Sequence, residues 1–220
     1  DQTSDGEGAT VDVLRTAAMS SDLDVRRAAL LGLSIGQRGD ALPLLMQALE
    51  SSDPATRLVA TSALASFEGP NVVAALGVSA RDLDEGVRAT ATGLLCDRTS
   101  REATHELISL LSSRNELDRI CLALSAPSQG RIRGLVEALD GADEDLAPLL
   151  TSALARMRTH EAREALLGLL NHPNVAARKA AAIALSAISD RDADLALRRL
   201  ASNDPDVEVQ RIAALSVARG

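Results

Sequence analysis

The stretch DPATRLVATSALASFEGPNVVAALGVSARDLDEGVRAT, residues 53–90, holds one complete structural unit and the start of the next. Asp53 stands where a helix opens: its side chain is suited to accept orphan N–H groups of the first turn, and Pro54 fills a position that needs no donor. The run Arg57 to Leu64 spaces its apolar residues for one buried helical face, Gly69-Pro70-Asn71 stops it, and Val72 to Ala80 forms a return helix. The loop Arg81 to Glu85 then leads to a second cap at Asp84.

The same pattern recurs along the chain. Its anchors are Val25, Thr56, Val87, Leu117, Leu146, Ala177 and Val209, in steps of 31, 31, 30, 29, 31 and 32. A second ladder, Leu14, Leu45, Leu76, Leu107, Leu135, Leu166 and Leu197, steps by 31, 31, 31, 28, 31 and 31. Two interleaved ladders mean two helices per repeat, and a fixed period of this length predicts an α-solenoid of about seven units, with half-units at both ends. Residues 10–220 are assigned to the solenoid and residues 1–9 to a disordered acidic lead-in. The truncated end units and the initial Asp1 lead us to expect an excised piece of a longer chain.

Two polar columns accompany the anchors. Three residues before them lie Asp22, Asp53, Asp84, Arg114, Asp143, Asn174 and Asp206, mostly cap-forming types. One residue after them lie Arg26, Arg57, Arg88, Asp118, Ala147, Arg178 and Gln210. An arginine there has enough donors to satisfy loop carbonyls and a neighbouring acidic cap together, which a lysine has not. Asp22, Arg26, Asp53, Arg57, Asp84, Arg88, Asp143, Arg178 and Asp206 are therefore read as a structural ladder joining repeats. Both columns lapse at Arg114 and Asp118, so a change of twist or a softer joint is expected near residues 112–148.

Composition narrows the function. The chain has 220 residues, 46% hydrophobic, with one Phe, no Trp and no Tyr. Phe67 reads as a filler at a helix end. The net charge is −8, and a single lysine, Lys179, stands among 23 basic residues. Without a coherent basic stripe, neither nucleic acid nor an anionic membrane is expected as partner. No apolar run reaches the length of a membrane span. Cys96 and Cys121 form no CxxC pair and read as small core residues, which suits a reducing, cytoplasmic setting.

Segments such as Asp24-Val25-Arg26-Arg27-Ala28-Ala29-Leu30 and Glu85-Gly86-Val87-Arg88-Ala89-Thr90-Ala91, each followed by a return helix, resemble HEAT repeats of the phycobilisome-lyase type over nearly the whole chain. The resemblance implies a right-handed superhelix of antiparallel helix pairs whose return helices line a concave docking face. Two HEAT-like enzyme families bear on the alternative, a metal- or tetrapyrrole-dependent enzyme or lyase. The His-Glu pairs of deoxyhypusine hydroxylase find counterparts in His105-Glu106 and His160-Glu161, but these occupy different places in their repeats, and His172 is the only other histidine. A phycobilin lyase handles a tetrapyrrole, which a chain almost without aromatics is poorly equipped to pack. No nucleophile elbow or phosphate loop is present. The expected role is a scaffold or regulatory module for another protein, not an enzyme, with no metal and no cofactor.

Two residues beyond each ladder leucine, a side chain points away from the core; one residue beyond, it lies at the core's edge. From these positions Met46, Gln47, Val78, Ile108, Ser109, Val136, Glu137, Leu167, Arg198 and Arg199 are the expected partner-binding residues. Burial of Met46, Ile108, Val136 and Leu167 beneath the next helix is the opposing expectation.

Overall fold

The computed structural model describes residues 12–35, 41–113, 116–188 and 190–218; the acidic lead-in 1–9 and the cap-column residue Arg114 lie outside them. Every regular element among the described residues is helical. The chain divides between Asp97 and Arg98 into two compact units. This division precedes the 112–148 stretch where the sequence columns lapse.

The first unit contains α1 (residues 12–18), α2 (Leu23–Ile35), α3 (Leu42–Ala48), α4 (Pro54–Ala63), α5 (Pro70–Ser79) and α6 (Glu85–Asp97). Helix α4 packs on α2, α3 and α6, and α5 packs on α6. A short 3₁₀ turn, Leu64–Ser66, extends α4 and ends at Phe67, which is buried. Gly69 follows with φ of 115°, a backbone that glycine adopts without steric cost, and Pro70 starts α5.

The second unit contains α7 (Arg101–Leu110), α8 (Leu117–Leu124), α9 (Gln129–Ala138), α10 (Leu146–Met157), α11 (His160–Leu169), α12 (Val175–Ser186), α13 (Arg191–Asn203) and α14 (Val207–Val217). Its principal packing joins each helix to its chain neighbour or to the next but one: α7 to α9, α9 to α11, α10 to α12, α12 to α14. Such nearest-neighbour packing defines a solenoid, in which no helix buries its apolar face alone. In both units the even-numbered helices carry the anchors and the odd-numbered helices the ladder leucines.

The ladder supplies the core. Leu45, Leu76, Leu107, Leu135 and Leu166 are fully buried and Leu197 nearly so, each burial stabilising by roughly 1.5–3 kcal/mol. Among the anchors, Thr56, Val87, Ala177 and Val209 are buried, Leu117 and Leu146 half-buried, and Val25 exposed. Thr56 enters the core without cost to its hydroxyl, which donates to Asp53 Oδ2 at 2.6 Å. Thr104 and Thr151 are buried with their hydroxyls bonded back to Ser100 and Ala147 carbonyls.

Caps set the helix starts. Asp53 accepts from Thr56 N–H, Asp84 from Val87 N–H, Asp143 from Leu146 N–H, and Asp206 from the N–H groups of Glu208 and Val209. Asp22 accepts from Asp24 and Val25. The return helices have caps of their own, which the anchor-based columns do not contain: Ser100, Ser128, Thr159 and Asp190.

Candidate functional site: the polar ladder and the return-helix face

The arginine column turns its guanidinium groups inward, to loops rather than to solvent. Arg57 donates through Nη1 to the carbonyls of Ser51 and Ser52 at 2.9 and 3.2 Å, ahead of its own helix. Its Nε and Nη2 grip Asp82 at 2.8 and 2.7 Å, in the loop before α6. Arg178 repeats this: Nη1 reaches the carbonyls of His172 and Pro173, while Nε and Nη2 hold Asp204 at 2.8 and 3.1 Å.

The carboxylate is thus not the neighbouring cap, as the columns suggested, but the residue two positions before it. Asp82 and Asp204 each also accept the cap residue's own N–H, from Asp84 and Asp206 at 2.8 Å. Where that position carries serine, as at Ser51, it still accepts the N–H of Asp53, but Arg26 has no carboxylate to grip and bonds only the Ser20 carbonyl. Arg88 binds the carbonyls of Asp82 and Leu83, and Gln210 keeps one such bond, to the Asp204 carbonyl at 2.7 Å. Asn174, taking the place of a cap aspartate, donates from Nδ2 to Leu139 and Ala142 carbonyls one repeat back, which a carboxylate could not do. An aspartate two residues before a cap aspartate, Asp82-Leu83-Asp84 and Asp204-Pro205-Asp206, is the sequence signal that would have found the partner.

The Arg57 guanidinium holds the Asp82 carboxyl below the ordinary aspartate value of 3.8, and Asp82 in turn raises Arg57. Since the folded value is depressed, the unfolded chain binds more protons in the acid range; the pair's contribution is complete well above the ordinary aspartate value of 3.8 and falls away as pH drops through the folded value. An Asp82→Asn variant is expected to lose about 1 kcal/mol at neutral pH and to show a shallower fall in urea midpoint as pH drops below the ordinary aspartate value. A wild-type acid slope in that variant would show that Asp82 is not linked to folding.

The return helices present the other surface. The residues two beyond the ladder leucines, Thr16, Gln47, Val78, Ser109, Glu137, Gly168 and Arg199, are all exposed. The edge residues Met46, Ile108, Val136 and Leu167 are half-buried, so each leaves part of its apolar surface open, while Arg198 is exposed. Glu137 is engaged within the chain: His105 Nε2 lies 3.1 Å and Arg101 Nη1 3.4 Å from its carboxylate, and the His105 hydrogen bond is the main reason its carboxyl sits below the usual glutamate range. Ser109 donates to the Glu106 carbonyl.

A cleft accompanies this face in each unit. In the first, about 470 Å³ opens beside Met19, Leu44 and Gln47, with Arg26 and Thr56 in its wall. In the second, about 520 Å³ opens beside Leu167, Leu170, Arg199 and Leu200, with Arg178 and Asp204 in its wall. The two occupy the same place in the repeat, between the ends of consecutive return helices, and each is walled by the column arginine. The expected residues Gln47, Leu167 and Arg199 line them.

The histidines serve local contacts. His105 meets Glu137, His160 Nδ1 lies 3.4 Å from Arg163, and His172 accepts the Asn174 N–H at Nδ1 while Nε2 lies 3.1 Å from Asp140. Among the described residues, no group of three or more His, Cys, Asp or Glu side chains is placed to share a metal ion. Cys96 and Cys121 are half-buried and not joined in a disulfide. No helix among the described residues is long and apolar enough to cross a membrane.

Stacked helix pairs held by a buried leucine ladder and an inter-repeat arginine column define a helical repeat protein of the α-solenoid class. The chain belongs to the HEAT-repeat family, whose profile matches residues 11–95 and 132–218. The unmatched interval holds α7, α8 and the start of α9, where the arginine column lapses at Asp118. Solved structures similar to the chain include the CpcE–CpcF complex of phycocyanin lyase from Nostoc sp. PCC7120, 19% identical over 94% of this chain and 86% of that one, with a TM-score of 0.48. Human deoxyhypusine hydroxylase in complex with glycerol is 19% identical over 95% and 83%, TM-score 0.41. An archaeal HEAT-like repeats protein from Thermococcus onnurineus NA1 is 14% identical over 95% and 96%, TM-score 0.42. No curated protein sequence matches the chain.

Proposed function

We propose that this chain is a protein-docking scaffold whose return-helix face receives a segment of another protein, with no chemistry of its own. The observation that carries the reading is the contrast on the return helices within each unit: buried ladder leucines from Leu45 to Leu197, half-open apolar residues beside them at Met46 in the first unit and Ile108, Val136 and Leu167 in the second, and an exposed column beyond. Apolar strips rimmed by polar side chains are the usual form of a groove for an extended or helical segment. On the opposite, even-numbered helices the column residues Arg57, Arg88, Arg178 and Gln210 are spent on loop carbonyls and inter-repeat bonds, which supports the return helices as the adaptable surface.

Photo-crosslinking tests this directly. A photoreactive residue at Gln47, Ser109 or Arg199 is expected to give discrete partner adducts in lysate, and one at the exposed Ser62 or Ile183 of even-numbered helices is expected to give none. Equal labelling from both faces would overturn the proposal. Iron or a visible chromophore in the purified protein would favour a HEAT-like enzyme instead.

A further inference from the structure

A third cavity, of about 800 Å³, lies in the second unit at the α10–α11 turn, away from the clefts described above. Its apolar wall is aliphatic, from Leu154, Ala155, Leu166 and Ile188. Its polar wall holds Arg156, Arg158, His160 and Arg163 together with the hydroxyl residues Ser152 and Thr159, and no carboxylate. Arg163 is already engaged, by Asp190, by Glu164 at 3.1 Å and by Asp192 at 3.8 Å. Among the described residues, Arg156 and Arg158 meet no carboxylate and no hydrogen-bond acceptor, although the chain carries 31 acidic residues against 23 basic ones. Glu161, on the first turn of α11, is exposed and bonds neither of them.

The backbone makes the same point independently. Arg158 closes α10 in the left-handed region, with φ of 52° and ψ of 30°. Glycine occupies such a helix end without strain, and any other residue there is disfavoured by its Cβ. A strained arginine whose guanidinium has no partner among the described residues thus stands beside this cavity, open to a ligand from outside the chain.

We propose that this cavity binds an aliphatic anion: a short apolar chain laid against Ala155, Ala187 and Ile188, above the buried Leu154 and Leu166, its carboxylate or phosphate head held by Arg156 and Arg158. The forked guanidinium geometry matches both head groups, and the wall lacks the aromatic faces that would favour a nucleobase or other ring. The volume lies within the range of small-molecule sites.

Isothermal titration with sodium octanoate, octyl phosphate and uncharged 1-octanol tests the proposal. Saturable binding of at least one anion is expected, with octanol not saturating, and the preferred anion identifies the head group. Substituting both arginines, R156Q with R158Q, is expected to weaken that binding at least tenfold. The single variant Arg158→Gly guards against a folding artefact: it is expected to raise the thermal midpoint by relieving the left-handed strain while weakening the anion. Methyl resonances of Ala155, Ala187 and Ile188 are expected to shift on titration. Failure of both anions to saturate, undiminished binding by the doubly substituted protein, or shifts confined to other methyls would each overturn the assignment.

Discussion

A Gly130→Ala variant is expected to be destabilised by about 3 kcal/mol or more, seen as a lower urea midpoint and as faster amide exchange in α7 and α9. A Cβ built on Gly130 falls 2.3 Å from the Thr99 carbonyl oxygen and 3.2 Å from the Arg101 nitrogen. Both atoms are backbone, so no rotamer change makes room, and the N-terminal ends of α7 and α9 must separate. Separation breaks the Arg131 Nη2 bond to the Arg98 carbonyl at 2.8 Å and the Ser128 hydroxyl bond to the Thr99 carbonyl. Overpacking of this kind costs about 1–3 kcal/mol even where side chains can yield. Gly134, one turn on, tells the same story with Thr104, whose Cβ would lie at 2.8 Å. Gly168→Ala supplies the control. Beyond its chain neighbours and its own helix backbone, no atom lies within 4 Å of its added Cβ, and a glycine-to-alanine exchange in the last turn of α11 is expected to stabilise by up to about 1 kcal/mol. Equal stability of the Gly130→Ala and wild-type proteins would show that α7 and α9 do not approach this closely.

Loss of the Arg178 guanidinium is expected to cost about 3–5 kcal/mol, the range found when one partner of a buried ion pair is removed. The Arg178 side chain is 9% exposed and that of Asp204 2%, so an Arg178→Met variant strands a carboxylate where water reaches it poorly. It also leaves the His172 and Pro173 carbonyls without their donor. Arg178→Lys is not expected to rescue, because one ammonium cannot reproduce a bidentate grip on Asp204 and two carbonyl bonds at once. Adding Asp204→Asn to Arg178→Met removes the stranded charge while keeping an acceptor for the Asp206 N–H, and is expected to restore more than half of the loss. Chemical denaturation of wild type, Arg178→Met, Asp204→Asn and the double variant closes the cycle. Strictly additive effects would mean that the two side chains do not interact. The more accessible Arg57–Asp82 pair, with side chains 16% and 14% exposed, is expected to be worth less.

What was legible from residue order alone is the periodic part of the molecule. Helix pairs, the burial of Leu45, Leu76, Leu107, Leu135, Leu166 and Leu197, and the caps at Asp53 and Asp206 all follow from signals within a turn or two of chain. A cap bonds an amide two or three residues away, and an amphipathic stripe repeats every three to four. The outward column ending in Arg199 follows by the same rotation, which is why residues named from spacing line clefts in the folded protein.

Contacts between distant segments were settled only by packing. Arg57 was assigned an acidic partner correctly in kind but not in place, because whether it meets Asp82 or Asp84 depends on the path of a loop 25 residues on. Glu137 reads as an open docking residue until α7 brings Arg101 and His105 against it. Gly130 carries no signal as a close-approach glycine, since that role belongs to the Thr99 carbonyl on another helix. Arg156 and Arg158 look like ordinary surface charges in sequence; their lack of partners among the described residues is visible only in the fold. Local signals suffice for elements held by bonds inside one turn, whereas charge pairing and close backbone approach arise between elements and exist only once the repeats have stacked.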